Sequence, residues 1–409
     1  MPPLRPVAVD PMIYLDHAAA TPLDPSVEEA MRKVAQESFA NPSSPHAAGR
    51  RARAVLEEAR ERILTALGGR GSGHDRDRLV FTSGATEANW LGVLGTAGVR
   101  PGIVACSPRD HTSLLEAVAR LERHGWRAVR VPLDGNGQAA PGITELGGSV
   151  IAADSDTIIM ATLTATCGQT GLRESLPLLA SVSGNPRWRL HVDATQAMAW
   201  ETMALVDLPA TSLAFAPHKF GGPRGIGAVV VRGGVAVAPV MPGPQELGLR
   251  GGTEGVALAV GFAEALDRAI ARRSTAVAQA RRLRDLWERG IIAAAAEHGL
   301  ELHVVGGHSD RSPHISVFAA RGIDRQALVM AADLEGICLG TGTACASGSS
   351  EPSPAIVSLG LPEWVADSAV RASLATTTTD QDVLGAIGTM SRLFQRFAGG
   401  GLLRATSER

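Results

Sequence analysis

Asp193 and Lys219 are the residues whose types and spacing most constrain the chemistry. Asp193 ends a short apolar run, RLHVD, that continues into ATQ, and Lys219 follows a second run, SLAFA, within FAPHKFGGPRGIG. The chain has only two lysines, Lys33 and Lys219, among 39 lysines and arginines together. Basic positions have gone almost entirely to arginine, so a retained lysine asks for a chemical reason. A primary amine condenses with an aldehyde, which a guanidinium in practice does not. Lys33 lies in the amphipathic pattern SVEEAMRKVAQ and reads as a solvated helix-face residue. Lys219 lies in a strand-to-glycine turn beside His218, with no helical period around it. The plain alternative is an ordinary loop lysine. The chemical reading is a Schiff-base lysine that holds pyridoxal 5′-phosphate (PLP), with Asp193 pairing the ring nitrogen.

Three further segments carry polar groups at places suited to a ligand. LVFTSGATEAN runs from an apolar strand through Ser83-Gly84-Ala85-Thr86 into a helix. Free N–H groups and the helix dipole at such a start favour an anion, although small residues there also make an ordinary capped helix. The segment lacks a P-loop lysine and the dinucleotide spacing. GIVACSPRDHTSLLEAV repeats the strand, loop and helix order and leaves His111 at a strand's carboxyl end, where a ring can stack on a flat ligand. Cys345 lies in GTGTACASGSSEPS, among Gly, Thr, Ser and Ala, without the bulky apolar neighbours of a packed cysteine. That composition describes a mobile, solvent-reachable loop and a thiol available for nucleophilic or sulfur-transfer work.

The elements that must position these residues follow from the hydrophobic pattern. Strands alternate with helices from LVFT to IGAVVV, which indicates an α/β unit with a mostly parallel sheet covered on both faces. SGAT, RDH, TATCGQTG, VDATQ and PHK all fall just after strands, so one crevice can collect them. Asp24-Pro25 opens a first helix, and a second runs from about Ala47 to Leu67. PLLASVSG reads as a short helix, and Val256 to His298 as a long one. PHISVFAA reads as a strand, DRQALVMAADLEG as a helix, VADSAVRASLA as strand-like, and a Thr-Asp cap opens the last helix.

Composition bounds the partners. The hydrophobic fraction is 45%, the charged fraction 20% and the formal charge −2, with no basic block and a single tyrosine, Tyr14. These values describe a soluble globular chain without an evident nucleic-acid surface. No apolar run reaches the length of a membrane span. The first eleven residues read as a disordered extension rather than a signal peptide. Cys106, Cys167, Cys338 and Cys345 are widely spaced and form neither a CxxC pair nor a zinc-like cluster, which suits a reduced, cytoplasmic setting. Cys106, Cys167 and Cys338 are expected to be packing residues.

Taken together, the pieces resemble a cysteine desulfurase of the class V aminotransferase family, PLP fold type I. The resemblance rests on YLDHAAATPLDP, FANPSS, VFTSGATEAN, the His111 segment, HVDATQ, PHKFGGPRGIGAVVV, LRGGTEG, TGTACASGSSEPS and VRASLA, in the family's order from Tyr14 to about Leu374. It implies an α/β fold with a mostly parallel mixed sheet covered by helices and a smaller α+β domain. The implied organisation is an N-terminal segment 1–25 packing with the small domain, a large PLP-binding domain 26–265, and a small domain 266–409 carrying the Cys345 loop. It implies that Lys219 bonds the coenzyme, Asp193 pairs the pyridinium nitrogen, His111 stacks on the ring and shares in proton transfer, and Gln196 contacts the phenolic oxygen side. Ala85, Thr86 and His218 would hold the phosphate, with Thr253 supplied by the partner of a homodimer. Arg371 would pair the substrate carboxylate with Asn41 nearby, and Cys345 would accept the sulfur of L-cysteine as a persulfide. The acceptor beyond it would be an iron–sulfur scaffold or a tRNA-thiolation carrier. The chain departs from the family pattern at Thr164-Ala165-Thr166, where an Asn-Asn-Glu-like segment is usual, at Ala216, where a serine is usual, and more mildly at His17. A missing hydrogen bond to a charged group costs about 1.5–3 kcal/mol. The competing readings are a PLP-dependent selenocysteine lyase or other β-lyase, and a degenerate PLP-binding homologue with poor turnover.

Overall fold

The structure, a computed structural model, describes residues 12–73, 75–134, 136–139, 159–175, 188–342 and 351–399. The extension before Met12, the expected helix in PLLASVSG and Cys345 itself lie outside the described residues.

Asp24 caps the first helix, α1 (Pro25–Glu37), through its carboxylate and the Ser26 N–H, with Pro25 in the first turn as expected. α2 (Ala47–Ala66) follows. The strands and helices of the first unit then alternate: β1 (Ile13–Tyr14) precedes α1, and after α2 come β2 (Arg78–Thr82), α3 (Ala85–Leu94), β3 (Ile103–Cys106), α4 (Thr112–Glu122), β4 (Arg127–Arg130), β5 (Ile159–Thr164), β6 (Trp188–Asp193), β7 (Ser212–Phe215) and β8 (Gly227–Val231). Seven of these strands form one sheet in the order β2-β8-β7-β6-β5-β3-β4. The five strands β7, β6, β5, β3 and β4 pair in parallel, and β8 runs antiparallel to both β2 and β7.

The alternation of side chains splits the central strands between two cores. On β8, Ala228 and Val230 join α2 and the next helix, whereas Val229 and Val231 join α3. On β3, Ala105 faces the first core and Val104 and Cys106 face α4. Strands buried on both faces read as unbroken apolar runs, which is why VVV and IMATL carry no polar alternation. β4 is the exception at the edge, with Arg127 and Arg130 exposed at its ends.

The long helix α5 (Val256–Glu297) joins two cores. Ala259, Phe262 and Leu266 pack on the large sheet, and Leu283, Trp287 and Ile291 pack on a second, three-stranded antiparallel sheet. That sheet is β12-β10-β9, built from β9 (Leu302–Val304), β10 (Ile315–Ala320) and β12 (Ala369–Ser373). It is flanked by α6 (Arg325–Leu334) and α9 (Asp380–Ala398), the latter opened by a Thr379–Asp382 capping box. Between them lie β11 (Ile337–Cys338), α7 (Pro354–Val357) and α8 (Glu363–Asp367). The strand-like reading of VADSAVRASLA needs correcting at its start. Val365 to Asp367 close α8, because Pro362 at the cap directs the chain into a helical turn before the strand begins at Ala369. Cys338 is also corrected: it is half-buried rather than packed away, with Sγ 3.0 Å from Met12 Sδ.

The N-terminal segment ties the two sheets together. β1 pairs in parallel with β11, Asp16 bridges to Ser373, and Thr21 N donates to His218 O at 2.9 Å.

Candidate active site

The carboxyl ends of β3, β5, β6 and β7 and the start of α3 surround a cavity of about 560 Å³. This is the end of an open α/β sheet where ligands collect. Asp193, the last residue of β6, is 4% exposed. Its Oδ1 accepts from Thr195 N at 2.9 Å and its Oδ2 accepts from Asn89 Nδ2 at 2.8 Å. Asn89 Oδ1 lies 3.0 Å from His191 Nε2, and His191 Nδ1 lies 2.8 Å from Ser212 Oγ. Because Asn89 turns its amide nitrogen to Asp193, its oxygen faces the imidazole, so His191 donates from Nε2 and accepts at Nδ1. Burial holds the His191 pKa down at about 4, so the ring is neutral at pH 7. The carboxylate is therefore fixed by a chain of neutral groups and stays available to a cation in the cavity.

Lys219 closes a tight turn, Pro217–Lys219, directly after β7. Its Nζ donates to Ala18 O at 2.7 Å and Ala19 O at 2.8 Å. Gln196 Nε2 donates to the same Ala18 O at 2.7 Å. His218 has its pKa pushed down to about 4 by burial and then by the positive charges of Lys219 and Arg224. His111 caps α4: its Nδ1 accepts from Ser113 N at 3.2 Å and lies 2.8 Å from Ser113 Oγ. Its neighbour Asp110 anchors the loop to β5, accepting from Thr162 Oγ1 at 2.6 Å and Thr164 N at 2.8 Å. Burial raises the Asp110 pKa to about 6 against those hydrogen bonds.

At the opposite wall α3 begins at Gly84 with no side-chain cap, and Gly84, Ala85 and Thr86 line the cavity. Among the described residues, a Cβ built on Gly84 would meet nothing within 4 Å, which leaves space above this helix start. Gly227 makes that possible: a Cβ there would lie 2.4 Å from the Gly84 carbonyl carbon. Arg371 enters from β12, with Nη1 donating to Gly168 O at 2.7 Å and Nη2 to Asp16 Oδ1 at 2.7 Å. Its side chain is 5% exposed, and its Nε has no hydrogen-bond partner among the described residues.

One cavity thus gathers Ala85, Thr86, His111, Asp193, Gln196, His218, Lys219 and Arg371. Asn41 and Thr253 are not among its walls. Asn41 is exposed and accepts from Ser43 N at 2.8 Å, and Thr253 is exposed beside a separate pocket with Ser83 and Arg250. Gly342 and Glu351, on either side of the segment holding Cys345, both line the cavity. Thr164 and Thr166 line it too, with their hydroxyls committed to the wall. Thr164 Oγ1 accepts from His111 N at 3.2 Å, and Thr166 Oγ1 donates to Glu201. Ala165 and Ala216 are fully buried.

Sequence reasoning missed Asn89, His191 and Arg109 and took Cys167 for packing alone; Arg109 and Cys167 both line the cavity. The available signal was an asparagine inside the apolar helix TEANWLGVLG, a polar group that burial obliges to find partners. A buried carboxylate, a helix start open to an anion, an imidazole and a primary amine around one cavity fit PLP, whose groups are a pyridinium, a phosphate, a flat ring and an aldehyde.

Comparisons with known proteins identify the family. Residues 13–384 match the family described as Aminotransferase class-V. A cysteine desulfurase IscS of Dictyoglomus turgidum is 31% identical over 388 residues, covering 94% of this chain and 95% of that protein. A cysteine desulfurase of Rhodobacter capsulatus is 34% identical over 373 residues, 90% of this chain and 93% of its own. Among solved structures, a NifS-like protein superposes with a TM-score of 0.81 at 26% identity, covering 93% of this chain and 99% of that one. SspA in complex with cysteine superposes with a TM-score of 0.72 at 25% identity, covering 90% and 99% respectively. The chain belongs to the class-V aminotransferase family.

Proposed function

We propose that the protein is a PLP-dependent cysteine desulfurase that converts L-cysteine to L-alanine and retains the sulfur as a persulfide on Cys345. The observation that carries this reading is the convergence of Asp193, Lys219, the α3 start and Arg371 on one cavity. The desulfurase names of the relatives and the cysteine bound to the similar SspA structure support the choice of substrate. Bound in this cavity, PLP supplies an electron sink for charge that develops at the substrate α-carbon.

The residues of the chain do the rest. Asp193 offers a carboxylate to the pyridinium nitrogen, and the N–H groups of Ala85 and Thr86, with His218, meet the phosphate. Lys219 would hold the coenzyme through its amine and would move the substrate α-proton, with His111 as its companion. Arg371 turns its remaining N–H groups to the substrate carboxylate. The thiolate of Cys345 attacks the substrate sulfur; an S–S bond forms as the C–S bond breaks, and the carbon takes up a proton to leave as alanine. The positions of Gly342 and Glu351 support delivery of Cys345 to the cavity.

The exposed Thr253 suits a contact completed by a second copy in a homodimer, and Asn41 suits an outer position on the substrate path. We assign 26–265 to the coenzyme-binding domain and 266–409 to the small domain, with the described part of 1–25, from Met12 on, bonded to both; α5 runs unbroken through that boundary. The expected acceptor is an iron–sulfur scaffold or a tRNA-thiolation carrier, in the cytoplasm. Among the described residues no helix is long and apolar enough to cross a membrane.

The test combines the purified protein with PLP and L-cysteine and follows sulfide, alanine and the mass of the Cys345 peptide. Alanine formation with a persulfide on Cys345 is expected, and both are lost in Lys219→Ala. Alanine production undiminished in Cys345→Ala would move the assignment to a β-lyase. Coenzyme binding without turnover, even with a sulfur acceptor present, would mark a degenerate homologue.

A further inference from the structure

Lys219 Nζ meets two consecutive backbone carbonyls, Ala18 O at 2.7 Å and Ala19 O at 2.8 Å, about 200 residues away in the chain. Carbonyl oxygens only accept, and a hydrogen bond from an ammonium to such an oxygen is charge-assisted. The pair therefore favours the protonated amine over the neutral one.

The segment that presents these carbonyls is held from both sides. A turn closed by Ala19 N to Asp16 O, at 3.0 Å, brings the two carbonyls to the lysine. On the side of the small sheet, Ser373 is fully buried and its Oγ accepts from Ala18 N at 2.9 Å, while Ser373 N donates to Leu15 O at 2.7 Å. On the side of the Lys219 turn, Thr21 Oγ1 donates to His218 O at 3.0 Å and accepts from Gly221 N at 2.7 Å. Thr21 thus grips the residue before Lys219 and the residue two after it. One hydroxyl from each sheet's neighbourhood sets where the carbonyls lie relative to Nζ.

We propose that Thr21 and Ser373 are positioning residues that hold the Ala18–Ala19 carbonyls as a cradle for the Lys219 ammonium, and that this cradle sets the pH at which Lys219 can accept a proton. The functional meaning rests on reading Lys219 as the coenzyme lysine. A lysine that takes a proton from substrate must first have lost its own, so a tighter cradle moves activity to higher pH.

With only two lysines in the chain, the measurement is direct. Full-length protein freed of PLP and labelled with ¹³Cε-lysine gives two ε-carbon signals, and exposed Lys33 on α1 serves as an internal reference. Loss of one hydrogen bond to the charged amine in Thr21→Val lowers the Lys219 midpoint by about one pH unit, leaving Lys33 unmoved. Thr21→Ser restores the midpoint, and Ser373→Ala lowers it. In the holoenzyme the acid limb of turnover follows the same shifts. In the wild type the Lys219 ammonium protons exchange with water more slowly than those of Lys33, a result that needs no variant. Equal exchange rates, or a Lys219 midpoint unchanged in both folded variants, would overturn the cradle. Because the titrations are made without PLP, that outcome leaves the coenzyme assignment standing; failure of Lys219 to bond PLP would remove the assignment instead.

Discussion

At the scale of single residues, the site depends on a neutral relay behind a charged group. Asp193 presents its carboxylate to the cavity because Asn89 and Thr195 N occupy its oxygens, and Asn89 is oriented by a histidine that burial keeps uncharged. Asn89→Ala removes the donor to Asp193 and strands His191 Nε2. We expect PLP affinity to fall about tenfold or more, the size of one hydrogen bond to a charged group, in an absorbance titration. Unchanged affinity would show that the relay is structural only. Asp193 and Lys219 were legible in the sequence because their chemistry belongs to the side chain and each follows a strand. His191 was not, since RLHVD gives no sign of what its imidazole faces. Its partners come from α3 and β7, at Asn89 and Ser212.

At the scale of elements, α3 is the part with least freedom. Its N-terminus must open to the cavity, and its body must rest on the sheet over His191. Glycine permits both. A Cβ at Gly92 would lie 2.2 Å from the His191 ring, and one at Gly227 would lie 2.8 Å from Ala85 N. Gly227→Ala must push the Gly84–Ala85 backbone, which has no flexible side chain to yield. We expect a loss of about 1–3 kcal/mol in denaturant unfolding together with weakened PLP binding. A variant with wild-type stability and coenzyme affinity would contradict this account of the helix start. The strand-turn-helix order of LVFTSGATEAN was readable, but the reason for glycine at 227 was not, because the backbone it touches is some 140 residues earlier.

For the whole molecule, buried histidines set an acid limit. His17, His191 and His218 are each held near pKa 4, mainly by burial, against an ordinary value of 6.5. As pH falls from 6.5 towards 4 the unfolded chain takes up protons that the folded chain refuses, so stability declines. Asp110 has the opposite sign: its pKa is raised to about 6, so protonation below pH 6 favours the fold. Buried His314, held well below 6.5, adds to the histidines, and Glu201, raised by burial, adds to Asp110. The histidines outweigh the two carboxyls, and a net loss on the order of a few kcal/mol is expected by pH 4. Thermal melts should show Tm falling between pH 7 and pH 5, with a shallower fall in His17→Asn. A constant or rising Tm over that range would mean that these rings protonate within the folded state.

By itself, the sequence determined the chemical repertoire and the succession of elements. The retained lysine, the carboxylate after β6, the small residues before α3 and the apolar runs of a doubly covered sheet are all properties of residue type and period, which need no partner to be recognised. What only the tertiary structure decided is which groups meet. The Ala18–Ala19 carbonyls under Lys219 and Arg371 donating to Asp16 depend on how the N-terminal segment threads between the two sheets, and the absence of Asn41 and Thr253 from the cavity walls on where their loops come to lie. Backbone carbonyls are the same at every residue, so no pattern of side chains announces the ones that a distant amine will find.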